Sequence, residues 1–478
     1  MVSPKKQTRV LLIQPDYPKD YSFGPKNAIL FPALGLECIA ANILDLADVR
    51  IFDYRILRKN DLLNELNDFK PNYVGISCNF STQIYHVYAL ANLAKSYGAK
   101  TVIGGWHPTL VPDETISFPG VDIIIRGEGE LTFRELIAKN SPVGVKGLSY
   151  KNNGKITHNP SRELSNLNSI APPARYLRPL RLSKSYNFFG LPADLMETSR
   201  GCPFNCKFCS IHVFYQKKYR VKKIKNIIKE MNEIRELSQF LYIIDDNFMV
   251  YNEHVKNLCD AIIKSKLNMF FMTTARIDIV NKYPETFEKM AKAGFIFLFL
   301  GIESFSNRAL KSLNKQIKFD EIKRGIKILH DLGFIIQGNV ILGADFNDTI
   351  KDIESTIEYT KLLDIDLPTF SLLTPYPQTE LRNEIEKNGM LLNKNWKNYT
   401  WFTPLVKYPN LTPDQMSELI TKAYSETRFF NSPSKKIRQI LKARGLSFFL
   451  TRMIYYKSIK NSLITVNNIF KRIVRREI

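Results

Sequence analysis

The stretch SRGCPFNCKFCS, Ser199 to Ser210, holds three of the six cysteines of a 478-residue chain. Cys202, Cys206 and Cys209 are separated by three and then two residues, on a loop that also carries Gly201 and Pro203. Thiolates so closely spaced are a metal-binding set. A zinc site built from them would need a fourth ligand, and His212, three residues on, offers one. The loop follows the apolar run DLMETSR, so the metal would sit at the end of a strand. What surrounds that strand decides the fold.

From Pro192 onward, strand-like runs alternate with helical patterns. The strands are DLMETSR, FLYIIDDNF, MFFMTTARID, FIFLFLGIES, FIIQGNVILG and LPTFSLLTPY, and helical periods run over 219–237, 252–265, 283–292, 318–332 and 350–363. Six such units over about 185 residues are too few for a closed eight-unit barrel and suit a partial one. In either barrel, residues just beyond each strand crowd around one mouth.

Upstream, RVLLIQP, VRIFDYR, YVGISCN, AKTVIGG and VDIIIRGEGE read as five strands, with helical patterns in ALGLECIAANILD and QIYHVYALANLAKSYG. Continuous apolar strands are buried on both faces, as in an open parallel α/β sheet, with ligands expected at the carboxyl ends. The division expected is therefore an α/β domain over residues 1–150, a turn-rich linker over 151–190, a partial (β/α)6 barrel over 191–411 and a helical region over 412–478. An apolar content of 44% excludes global disorder, and six cysteines make no disulfide scaffold. No run reaches 18 apolar residues, and the N-terminal MVSPKKQTRVLLIQPDY lacks the apolar centre of a signal peptide, so a cytoplasmic, reduced protein is expected.

The cysteine spacing, with the aromatic Phe208 before the last cysteine, resembles the radical S-adenosylmethionine (SAM) enzymes. The resemblance implies a [4Fe-4S] cluster on Cys202, Cys206 and Cys209, with one iron left for the amino and carboxylate groups of SAM. It also implies cofactor contacts at successive strand ends. Asp245, Asp246 and Asn247 stand where the family has a Gly/Glu-rich turn touching the ammonium. Thr274 and Arg276 follow the third strand, where Arg276 can pair with the methionyl carboxylate. Glu303 and Ser304 follow the fourth as candidates for ribose or carboxylate contacts. GNVILG, with Val340, resembles the strand beside the adenine.

An α/β domain ahead of the radical domain resembles the cobalamin-binding class, over Arg9 to about Thr427. GGWHPT and VDIIIRGEGE then place Gly104, Gly105, His107, Gly127 and Gly129 beside the cobalamin tail. The DxHxxG motif that ligates cobalt in many cobalamin proteins is absent, so His107 is expected in a loop or tail role. METSRGCPFNCKFCSIHVFYQKKYR, IDDNF, GIESF and LLTPYPQTELRNEI look most like the hopanoid C-3 methylase branch. The implied reaction is radical C-methylation of an unactivated carbon in an apolar, lipid- or isoprenoid-like substrate, fed by an external electron donor of flavodoxin or ferredoxin type. A cyclase or oxidoreductase of tetrapyrrole or lipid metabolism is the alternative on the same scaffold. An RNA-modifying enzyme is a further alternative, though only Cys38 and Cys78 precede the radical motif and nucleic acid is not the expected partner.

Net charge is +22, and from Ser434 to Ile478 twelve Lys or Arg face one acid, Glu477. Aliphatic and aromatic residues interleave with these cations, a pattern that lies on anionic membrane surfaces. Peripheral attachment to the inner face of a membrane is expected.

Overall fold

The structure, a computed structural model, describes residues 8–17, 29–152, 154–178, 185–427 and 433–450. It divides into two compact units, and both are discontinuous. The first comprises residues 1–22 and 33–184 with the insertion Asn395–Tyr399; the second comprises 23–32, 185–394 and 400–478.

The first unit is built on a seven-stranded sheet: β1 (Thr8–Gln14), β2 (Ala47–Asp53), β3 (Tyr73–Ser77), β4 (Lys100–Gly104), β5 (Ile123–Ile125), β6 (Leu148–Asn152) and β7 (Lys155–His158). The order is β2-β1-β3-β4-β5-β6-β7, and the first five strands are parallel. Val10–Ile13, Val74, Ile76 and Val102 are buried, as strands covered by helices on both faces require. This order puts the topological switch between β1 and β3, so the loops after β3, β4 and β5 gather at the ligand-binding edge. The expected linker is not one: β6 and β7 form an antiparallel hairpin that extends this sheet across residue 150.

The second unit carries β8 (Asn187–Phe188), β9 (Leu191–Met196), β10 (Phe240–Ile243), β11 (Phe270–Ala275), β12 (Phe295–Glu303), β13 (Ile335–Leu342) and β14 (Leu367–Leu372). β9 to β14 are parallel and consecutive; β8 pairs antiparallel with β9, and Ile29–Leu30 pairs with β8. The intervening helices bury one stripe each. Ile322, Ile326 and Leu329 do so in helix Phe319–Asp331, and Val255, Leu258, Cys259 and Ile262 in helix Asn252–Lys264. Cys259 is thus a core side chain.

Helix Pro413–Glu426 buries Met416, Leu419, Ile420 and Ala423, and its Tyr424 hydroxyl bonds the backbone of Phe370 in β14. Helix Pro433–Leu450 is interrupted at Gly445, whose φ is 76°. Its start is spent on the barrel. The Lys436 ammonium meets buried Asp366 at 2.7 Å, Ile440 is buried, and Arg444 lies 4.9 Å over the Phe334 ring. Lys436 and Arg444, two of the cations expected on a membrane, are thus engaged within the protein, whereas Arg438 and Lys442 are exposed, and residues 451–478 of that segment lie outside the described residues. No helix among the described residues is long and apolar enough to cross a membrane.

Residues 395–399 lie between two stretches of this unit in the chain and are counted with the first unit. Leu391 and Val406 form a bridge on either side of them, and within them Trp396 is 6% exposed and Tyr399 fully buried.

Candidate active site

The cysteine loop is anchored at both ends. Ser199–Arg200 pairs antiparallel with Arg220–Val221, and Gly201 turns the chain with a φ of 92° beneath the Lys218 carbonyl, where a Cβ would not fit. The Cys209 amide donates to the Cys206 carbonyl at 3.1 Å. Asn247 Nδ2 lies 3.6 Å from Cys202 Sγ, and Arg276 Nη1 lies 4.0 Å from Cys206 Sγ. Burial raises the Cys202 thiol and pushes Cys209 up to about 12, so a metal must displace these protons. Phe208 packs against the barrel core. Among the described residues, no three His, Cys, Asp or Glu side chains converge to hold a single ion. A cluster would bind each thiolate to a different iron.

The strand ends around this loop behave unequally. Asp245, expected to accept from the cofactor's ammonium, spends its carboxylate on the Thr198 amide and hydroxyl (2.7 and 2.5 Å) and on the Ser199 hydroxyl (2.5 Å). Burial raises it to about 6. It ties the end of β9 to β10, and Thr274 adds a bond to its carbonyl at 2.8 Å. Asp246 accepts from the Gly201 amide at 2.8 Å and is raised by burial to about 7. Asn247 is 3% exposed and its Oδ1 has no hydrogen-bond partner, which leaves a buried acceptor beside Cys202. That orphaned oxygen fits an ammonium donor.

Arg276 departs from expectation. Its guanidinium is held by Asp278 (3.0 and 3.2 Å) and the Lys315 carbonyl (3.0 Å), and it stacks 3.8 Å from the Phe204 ring centroid. It braces the cysteine loop, and its fork is occupied by protein. Ser304 Oγ accepts from the Ser306 amide at 3.1 Å, and Val340 is fully buried in the core, so an adenine contact there falls to backbone.

Glu303 stands in a buried ion pair. β12 shifts register between Gly301 and Glu303, and Glu303 has a φ of 66°, an uncommon conformation for a residue with a side chain. Its Oε1 accepts from Lys315 Nζ at 2.7 Å, with both side chains buried. A Cβ on Gly301 would run into both groups. Lys315 was not singled out by the sequence, where NKQIK reads as solvated turn. Its only signal is the preceding GIESF, which places a buried acid within reach.

In the first unit, Gly105 has a φ of 114°, and a Cβ there would lie 2.7 Å from the Cys78 carbonyl oxygen. Gly127, φ 78°, has open space where a Cβ would project. Its amide donates to Thr109 Oγ1 at 3.0 Å, and that hydroxyl donates to the Gly105 carbonyl at 2.7 Å, so Thr109 stitches the two loops together. The open space beside Gly127 and the tight turn at Gly105 fit a nucleotide-like tail. At Gly104 a Cβ would make only an ordinary 3.8 Å contact, and at Gly129 it would press on the mobile end of Ile39. His107 leaves its Nε2 without a hydrogen-bond partner among the described residues. It is 1% exposed, with Nδ1 3.0 Å from Ser81 Oγ and its ring 5.1 Å from that of Trp396, whose Nε1 donates to Glu114 at 2.7 Å. Burial lowers its pKa to about 4, which keeps the ring neutral.

An open α/β sheet with glycine turns at its ligand edge, joined to a six-stranded parallel half-barrel with three thiols at one strand end, defines a two-domain cofactor enzyme. Residues 196–360 match the radical SAM superfamily and residues 29–137 match the B12 binding domain. An uncharacterized methyltransferase of Pyrococcus horikoshii is 32% identical over 469 residues, covering 94% of this chain and 98% of its own. The hopanoid C-3 methylase of Methylococcus capsulatus is 28% identical over 73% of this chain and 67% of its own. The solved structure of OxsB, a cobalamin-dependent SAM radical enzyme with aqua-cobalamin and SAM bound, superposes with a TM-score of 0.73 at 18% identity, covering 96% of this chain and 72% of that one. The chain belongs to the B12-binding radical SAM enzymes, in the methyltransferase family.

Proposed function

We propose that this enzyme transfers a methyl group to an unactivated carbon of an apolar substrate, using a [4Fe-4S] cluster on Cys202, Cys206 and Cys209, SAM, and cobalamin. The observation that carries the reading is the Glu303–Lys315 pair at a bulged strand end of the barrel that also presents the three thiols. Asn247 Oδ1, Asp246 and Glu303 supply the acceptors for SAM, Lys315 the cation, and the Gly105 and Gly127 turns the backbone for a cobalamin tail. Bound there, the cluster with SAM provides a hydrogen-abstracting radical, and cobalamin provides the methyl group that an unactivated carbon cannot otherwise accept. Arg276 and Asp245 position: one braces the cysteine loop and the other ties its leading strand. The electron comes from an external carrier of flavodoxin or ferredoxin type.

The name of the hopanoid relative supports an apolar substrate, and the basic, aromatic segment after Gly445 supports a place on the inner face of an anionic membrane. The test is anaerobic incubation of the reconstituted enzyme with methyl-deuterated SAM, a reductant and isoprenoid lipids. Formation of 5′-deoxyadenosine with a deuterated methyl on a lipid carbon is expected. A ring-closed or dehydrogenated product without the label would assign the chain to cyclase or oxidoreductase chemistry.

A further inference from the structure

Between Ser199 and Lys229 the chain carries nine Lys or Arg and no acid, a run that begins at the cysteine loop. Among the nine, Arg200 pairs with Glu197 (2.8 Å), Lys207 with Glu384 (3.3 Å) and Lys222 with Glu230 (3.1 Å), all acids from outside the run. Lys217, Lys218, Lys225 and Lys229 are exposed and make no ion pair among the described residues. Lys217 and Lys218 sit on a fixed turn, and Lys225 and Lys229 follow on helix Ile224–Arg235. Gln216 and Lys217 form a left-handed turn (φ 53° and 57°), closed by the Lys217 amide on the His212 carbonyl and the Lys218 amide on the Tyr215 carbonyl, both 2.9 Å. The Lys218 carbonyl then caps Gly201, one residue before Cys202. The turn is the outer cover of the cysteine loop.

On the radical SAM reading, the electron that reduces the cluster comes from an external carrier. We propose that the exposed lysines of residues 216–229 form the docking face for an acidic one-electron carrier protein, an inference that rests on the radical SAM reading above. One electron leaves the carrier and enters the cluster; no bond forms or breaks. Exposed cations in the segment that follows the loop raise the encounter rate with an acidic partner, orient it, and make the rate fall with salt. A nucleic acid would read the same charge, so the experiment has to separate the two.

The full chain, anaerobically reconstituted, is compared with the Lys217→Glu/Lys218→Glu/Lys225→Glu variant. Reduced acidic flavodoxin is the probe, and bleaching of the cluster absorbance is followed by stopped flow. The second-order rate at low salt is expected to fall at least about tenfold in the variant, and its salt dependence to flatten. Titanium(III) citrate should reduce both proteins equally, with equal iron content. Equal flavodoxin rates with a reducible cluster overturn the docking face alone. So does loss of tRNA binding with unchanged flavodoxin rates, which would give these lysines to nucleic acid. A wild-type chain with no reducible cluster overturns the radical reading and the docking face with it.

Discussion

The Lys315 ammonium lies 2.7 Å from Glu303 Oε1, and both side chains are more than nine-tenths buried. Removing one member leaves a charge without its partner, so Glu303→Leu should cost about 3–5 kcal/mol of stability. The double variant Glu303→Leu/Lys315→Met should recover most of that loss by packing two apolar chains in its place. It should not recover SAM binding or 5′-deoxyadenosine formation. Thermal unfolding and SAM titration check the two halves separately, and a double variant that cleaves SAM normally would show the pair to be structural.

The three cysteines are expected to act as a set. The Cys202→Ala/Cys206→Ala/Cys209→Ala variant should hold no iron after anaerobic reconstitution, while His212→Ala should keep the wild-type iron content. Iron analysis decides. Loss of metal in the histidine variant, with zinc found in the wild type, would restore the four-ligand zinc site.

Neighbouring glycines should respond differently. Gly105→Ala forces a side chain into a backbone region that disfavours it, at about 1–3 kcal/mol, and against the Cys78 carbonyl. Gly104→Ala meets only an ordinary contact. Cobalamin retained after gel filtration should therefore drop in the first variant and hold in the second. Equal retention in both would detach the Gly105 turn from cofactor binding.

His107 gives the first unit an acid-sensitive element. Its pKa falls from 6.5 to about 4 through burial, so the unfolded chain takes up a proton at a higher pH than the folded one. The stability this neutral ring contributes is complete above about pH 6.5 and is lost as pH falls toward about 4. The slope is at most about 1.4 kcal/mol per pH unit. Urea unfolding of the apoprotein at several pH values across that window should show it, and His107→Gln should flatten it. An unchanged slope in the variant would place the acid sensitivity elsewhere.

Removal of residues 451–478 should release the protein from anionic vesicles in a flotation assay, since all the basic residues after Gly445 lie there, together with Tyr455, Tyr456 and Phe470. The cut is placed after the helix that carries Lys436, Ile440 and Arg444, because those groups are spent on the barrel. Cluster content should be unaffected. Equal vesicle binding with and without the segment would remove the membrane from the functional reading.

The parallel strands were legible because each is a continuous apolar run, and the cysteine loop because its spacing is chemically restrictive. The β6–β7 hairpin was not, although Asn153-Gly154 is a strong turn signal between LSYKN and KITH. Turn-rich composition on either side masked it. Residue type also misled at the strand ends. Asp245 and Arg276 are an acid and a cation at the right places, yet both are spent on Thr198, Ser199 and Asp278 within the protein. Lys315 earns its place only through a bulge and a missing Cβ at Gly301, which no local pattern announces.

The Asn395–Tyr399 insertion has a consequence for the order in which the protein is made. Synthesis delivers the first 184 residues long before Trp396, and domains generally fold as they emerge. Here the nascent first unit must wait, its His107 ring uncovered, until more than two hundred further residues leave the ribosome. Residues 23–32 wait in the opposite sense, since the unit they complete is still unmade. No single cut in the chain yields either half intact. A fragment ending at residue 184 is thus a different object from the first unit of the finished enzyme, lacking the indole that closes over its buried histidine.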